Sequence, residues 1–205
     1  RLGKRGVEMQ PLGFFAILFA AVFTNNILLT NYLGMCSFLG CSRELKTSAG
    51  LGAAVVFVTA TTSVLNWAVY AYVLAPLGLD YLRFIVFIVV IAAFTQLVEM
   101  IIERVSEALY QSLGLFLPLI AVNCAILGAS LFLVIRNYTF WHACGYGIGS
   151  GVGWALAILA MAGIRQRLQQ RARVPRGLEG PGIALVIAGT MALAFMGFNG
   201  MVSLN

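Results

Sequence analysis

The residues in this chain best suited to chemistry are its four cysteines, and two of them share a motif. Residues 36–42 read Cys-Ser-Phe-Leu-Gly-Cys-Ser and residues 124–130 read Cys-Ala-Ile-Leu-Gly-Ala-Ser, so both fit C-x-x-L-G-x-S at an offset of 88 residues. A thiolate ligates soft metals, whereas an unligated cysteine is commonly a small buried hydrophobe. The repeat singles out Cys36 and Cys124 for the first role. Applied to Cys41 and Cys144, the same offset falls on Ala129 and Val56, so these two have no mates and read as packing residues. A site made from all four sulfurs of one chain, or a disulfide framework, is therefore disfavoured.

Helix-breaking residues accompany both motifs. Gly34 and Gly40 flank Cys36, while Pro118 precedes Cys124 by six residues and Gly128 follows it. Proline removes a backbone donor and glycine loosens a helix. Each cysteine is thus expected at a break between two half-helices, where unpaired N–H groups favour negative charge. The competing reading is that glycine and proline are ordinary in transmembrane helices.

A second candidate is Glu99. Gln96, Glu99 and Glu103 are spaced i, i+3, i+7 along one helical face, with Leu97, Val98, Ile101 and Ile102 on the others. Glu99 is the carboxylate deepest within an apolar stretch, and an ionisable group in such a place needs a reason. Read from the residues, it belongs to an acidic cluster near the headgroups that docks a neighbouring protein. Glu103, Arg104 and Glu107 read as solvated loop-side charges. His142, beside Tyr138, Phe140 and Trp141, sits where an interfacial aromatic belt is expected. Walker A loops, dinucleotide-binding fingerprints, catalytic triads and haem-attachment sequences are all missing, so no catalytic site of the chain's own is expected.

The elements that position these residues are membrane helices. Of 205 residues 61% are hydrophobic and only 10% charged, with a mean hydropathy of +0.95, against about 25% charged for a soluble domain. No Asp, Glu, Lys or Arg occurs between Glu8 and Arg43, between Lys46 and Asp80, between Glu107 and Arg136, between Arg136 and Arg165, or after Glu179. With a sixth span from Phe84 that reaches full length only by including Glu99, the expected fold is an all-α integral membrane protein of six transmembrane helices. Short alternating segments of a β-barrel are not seen. The whole chain, 1–205, is one membrane domain. Its halves, about 12–103 and 108–202, contain three spans each, so the second enters from the opposite side and the 3+3 repeat is inverted, an arrangement that places sites at the repeat interface on broken helices.

Loop charge sets the orientation. The loops after spans one, three and five hold eight Lys and Arg, including Arg165, Arg167, Arg171, Arg173 and Arg176, against five on the other side. By the positive-inside rule the eight-charge side is cytoplasmic and the C-terminus lies outside. The basic leader Arg1 to Glu8 opposes this count. That leader and the apolar run behind it look like a signal peptide, but the repeat places the following residues inside the fold, so the first helix is expected to be retained. The run 165–176 reads as a topology determinant touching anionic lipid or a partner and not as a nucleic-acid site.

The segments NNILLTNYLGMCSFLG, QLVEM, LGLFLPLIAVNCAILG, GIGSGVGWALAILAMAGIR and ALAFMGF, in this order, resemble a family of small bacterial membrane subunits. It comprises the E subunit of the sodium-pumping NADH:quinone oxidoreductase (Nqr) and the A subunit of the Rnf ferredoxin:NAD⁺ oxidoreductase. The resemblance runs from about Leu12 to Met201. Its fifth-span segment is closer to the Nqr branch, and its short connection 75–83 to the Rnf branch. It implies a bacterial inner-membrane subunit that carries electrons in an ion-translocating oxidoreductase complex. The implied cofactor is an intramembrane [2Fe–2S] cluster held by four thiolates, two from Cys36 and Cys124 and two from a homologous membrane subunit of Nqr D or Rnf E type. It also matches Glu99 to the acidic residue of a QLxEM motif associated with cation movement. The alternative function class is a cofactor-free inverted-repeat transporter or channel.

Overall fold

The computed structural model describes residues 13–105, 117–171 and 180–197. The leader 1–8, the charges Glu107, Arg173 and Arg176, and the outer ends of both repeats lie outside the described residues. Every regular element among the described residues is helical. In chain order they are α1 (Phe14–Thr24, closing in a π turn), α2 (Met35–Cys41), α3 (Leu45–Leu77), a 3-10 turn (Asp80–Leu82) that leads into α4 (Arg83–Val105), α5 (Leu117–Ala121), α6 (Cys124–Ile135), α7 (Phe140–Arg171) and α8 (Pro181–Met196).

Four stretches are long and apolar enough to cross a bilayer: Leu45–Leu77, Asp80–Ile101, Pro118–Ile135 and Phe140–Gln170. They correspond to expected spans two to five. The outer two are shorter. The first uncharged run, 34 residues in the sequence, divides into α1 and α2 because residues 25–34 leave the helix, with Tyr32 at φ 56 and Gly34 at φ 84. The last run holds the 16-residue α8, which at 1.5 Å per residue is about 24 Å long. The span Pro118–Ile135 counts as one by length, yet its backbone is interrupted between Ala121 and Cys124.

Local chemistry explains where the elements stop. Ser48 Oγ donates to the carbonyls of Cys41 and Glu44, at 3.0 and 2.8 Å, pinning the corner between α2 and α3. Pro76 and the left-handed Gly78 end α3. Asn137, at φ 50, turns the chain from α6 into α7, and α8 opens with Pro181 at its first position.

The core is organised around α7. Lipid tails offer no hydrophobic drive between helices, so close backbone approach has to supply the packing, and small residues permit it. Gly145, Gly149 and Gly153 recur every fourth residue on the α1 side: a Cβ on Gly149 would lie 2.8 Å from Ala21 Cβ and 2.9 Å from Leu18 O, and one on Gly153 would lie 3.0 Å from Val22 O. Gly147 and Gly151 form a second stripe against α3, where added Cβ atoms would meet Ser63 Cβ at 2.7 Å and Val56 Cα at 2.9 Å. A 3.6-residue period thus presents α7 to two helices at once. By contrast, α4 leaves Phe84, Ile85, Ile88, Val89, Leu97, Met100 and Ile101 exposed, as a helix facing an apolar surround would.

Candidate functional site

The first cysteine motif is positioned by a buried asparagine. Asn26 has no exposed surface. Its Nδ2 donates to Val22 O at 3.0 Å and Gly153 O at 2.8 Å, while its Oδ1 accepts from Leu28 N at 3.0 Å and Leu29 N at 3.3 Å. One side chain therefore caps the end of α1, steers the connecting segment and ties it to α7. An apolar asparagine substitute would leave these buried backbone groups unpaired, at about 1–3 kcal/mol each. Sequence reasoning missed it, although Asn25-Asn26 inside an uncharged run was the available signal.

The connecting segment ends at Gly34, where the left-handed conformation and the neighbours both demand glycine. A Cβ there would lie 2.6 Å from Trp154 Nε1 and 3.0 Å from both Ala125 Cβ and Asn123 Oδ1. The Gly34 N–H donates to Cys124 Sγ at 2.9 Å. Cys36 follows two residues later, in the first turn of α2, with Ser37 Oγ donating back to Gly34 O at 3.1 Å.

The second motif begins at its own interruption. Asn123 caps α6, its Oδ1 accepting from Ala125 N at 3.0 Å, and its Nδ2 donates to Ser37 Oγ at 3.4 Å. Gly34 and Ser37 bracket Cys36, and both touch the turn formed by Asn123 and Cys124. The two cysteine-bearing turns, about 90 residues apart in sequence, are thereby held together. Cys36 is exposed, Cys124 half-buried, Cys41 buried and Cys144 half-buried, and all four are free thiols. Cys41 belongs to the hydrophobic core, in keeping with a packing residue. Among the described residues no group of three or more His, Cys, Asp or Glu could hold a metal ion.

Each motif serine is anchored to a long helix. Arg165, on α7, donates from Nη1 to Leu39 O at 3.1 Å and to Ser42 Oγ at 2.8 Å, gripping the C-terminal end of α2. Asn66, on α3, donates from Nδ2 to Ser130 Oγ at 2.8 Å, gripping α6. This explains the serine of C-x-x-L-G-x-S in both halves. It also separates Arg165 from the exposed basic run expected at 165–176: at 7% exposure, Arg165 is the one charged side chain buried among the described residues.

Glu99 lies elsewhere in the fold. It is half-buried on α4 between exposed Gln96 and exposed Glu103, and α4 packs along α3, α5 and α6. His142 stacks edge-on to Tyr138 at 6.3 Å, beside the 69%-exposed Trp141, as an interfacial aromatic group would.

Along nearly its whole length the chain is similar to known proteins. A family model described as "Rnf-Nqr subunit, membrane protein" matches residues 14–202. Over 185 residues the chain is 49% identical to the A subunit of the Na(+)-translocating ferredoxin:NAD(+) oxidoreductase complex of Acetobacterium woodii, covering 90% of this chain and 96% of that protein. It is 46% identical over 199 residues to the E subunit of the Na(+)-translocating NADH-quinone reductase of Dichelobacter nodosus, with 92% and 98% covered. The corresponding protein of Chlamydia caviae is 45% identical over 206 residues, with 95% and 78% covered. A multi-pass helical chain with paired cysteine turns, matched across nearly its full length, belongs to the Rnf-Nqr family of membrane subunits.

Proposed function

We propose that this chain is the electron-carrying membrane subunit of a redox-driven, ion-translocating oxidoreductase complex of Nqr or Rnf type. Cys36 and Cys124 supply two of the four thiolates of an intramembrane [2Fe–2S] cluster, and a homologous membrane subunit of Nqr D or Rnf E type supplies the other two. The observation that carries this reading is the pairing of the two cysteine turns through the Gly34 N–H on Cys124 Sγ.

The donor set fits the group. When bound, a [2Fe–2S] centre supplies one-electron transfer at a potential tuned by charge, burial and hydrogen bonds to sulfur. Cys36 and Cys124 act as soft anionic ligands. The Gly34 N–H offsets part of the charge on Cys124, and Asn123 keeps the α6 N-terminus squared to its cysteine. Exposure of Cys36 suits a ligand set completed by a second chain.

The same reading makes the fold an inverted 3+3 repeat. Its support is the correspondence of α2 with α6, α3 with α7 and α4 with α8 along the chain. It places the protein in the bacterial inner membrane with the C-terminus outside. Reporter fusions after Met196 should be active only on the outer side, and a cytoplasmic C-terminus would overturn this topology. Glu99 is assigned to the cation path.

Coexpression tests the shared site. Iron, acid-labile sulfide and a [2Fe–2S] EPR signal should copurify when this protein is made with its homologous partner and should be missing when it is purified alone as a monomer. A partner complex that is intact yet free of iron would refute the assignment.

A further inference from the structure

Trp154 lies within α7 and is fully buried, yet its indole N–H has no hydrogen-bond partner. The other unpartnered buried side-chain atoms among the described residues are Thr24 Oγ1, Ser63 Oγ and Asn66 Oδ1. Those are oxygens, whereas indole nitrogen is a donor only. A buried donor left unpaired is costly in an apolar surround, so its acceptor is worth identifying.

The surroundings narrow the choice. Of the atoms that a Cβ on Gly34 would meet, Trp154 Nε1 is the nearest, at 2.6 Å, followed by Asn123 Oδ1 and Ala125 Cβ at 3.0 Å. The N–H edge of the indole is therefore packed on the turn whose own N–H donates to Cys124 Sγ. Asn123 Oδ1 accepts from Ala125 N and does not take the indole N–H. Gly34 O accepts from Ser37 Oγ and from Phe38 N. What the turn lacks is a strong acceptor. The sulfur that this turn already meets is that of Cys124, and a cysteine sulfur serving as an anionic ligand accepts charge-assisted hydrogen bonds far better than a thiol does.

Resting on the cluster reading above, the geometry points to Trp154 as a second hydrogen-bond donor to sulfur at the Cys124 position, acting beside the Gly34 N–H when the centre is loaded. Donors to sulfur stabilise the more negative, reduced form and raise the potential. Trp154 thereby sets the potential of this electron carrier from the α7 side, while its ring holds Gly34 in place. Gly34 contributes through its backbone and Trp154 through its side chain, so only the second is open to removal by substitution.

The test uses the intact complex carrying Trp154→Phe, with iron content, EPR-monitored redox titration and exchangeable-proton ENDOR in H2O and D2O. The expected result is an unchanged iron complement, a lower midpoint potential, and loss of one exchangeable-proton coupling while the one assigned to Gly34 stays. Unchanged potential and unchanged couplings in a fully loaded variant would overturn the inference. Should the phenylalanine variant fail to assemble, 3-benzothienylalanine incorporated at position 154 keeps the bicyclic outline without the N–H, and the same readouts decide. Failure of the parent reading is distinguishable, because the wild-type complex would then show no cluster signal that depends on Cys124.

Discussion

Cys36→Ala and Cys124→Ala should each abolish the [2Fe–2S] EPR signal and lower turnover of the complex by more than about 100-fold. Loss of groups that merely orient a ligand already costs on the order of 10–100-fold. Here a ligand itself is removed, and neither lipid nor the apolar residues of α2 and α6 can replace a thiolate. The two turns are joined by the Gly34 to Cys124 contact at 2.9 Å, so loss of either sulfur leaves its partner with half of this chain's contribution. Cys41→Ala and Cys144→Ala serve as controls and should retain both signal and turnover, because Cys41 is buried in the core and neither residue belongs to the paired turns. Full iron and normal turnover in Cys36→Ala would remove the redox assignment and favour a cofactor-free transporter.

The second large effect is expected at Glu99. Glu99→Gln keeps the size and hydrogen-bonding capacity of the side chain but removes the charge that would attract a cation inside a span. Cation-dependent turnover should fall by about tenfold, equivalent to about 1.4 kcal/mol in the barrier, with the EPR signal untouched. Glu103→Gln should do less, since Glu103 is exposed near the helix end whereas Glu99 is half-buried. Turnover measured across a Na⁺ titration is the readout. An unchanged Na⁺ response in Glu99→Gln would reassign this carboxylate to docking a neighbouring protein of the complex.

Membrane class and the four long spans were legible because exclusion of charge from about 20 consecutive residues is a local property of the chain. The break at Cys36 was legible for the same reason, as Gly34 limits the backbone wherever it occurs, whereas the interruption before Cys124 falls after the helix that contains Pro118 and is marked by the Asn123 cap. The lengths of the outer helices were not. An uncharged run says where a chain tolerates lipid, and it was Asn26, by bonding to α7, that turned residues 25–34 out of the helix.

From the sequence alone come the all-helical membrane class, the 88-residue motif repeat that sets Cys36 and Cys124 apart from the other cysteines, and the family. Each depends on residue type and spacing along one dimension. Only the tertiary structure decided that Gly34 gives its N–H to Cys124, that Arg165 turns inward to hold Leu39 and Ser42, and that Trp154 lies against the cysteine turn with an unpartnered donor. These are contacts between groups roughly 90 to 126 residues apart. They exist because two glycine stripes let α7 approach α1 and α3 closely enough to bring both cysteine turns to one place.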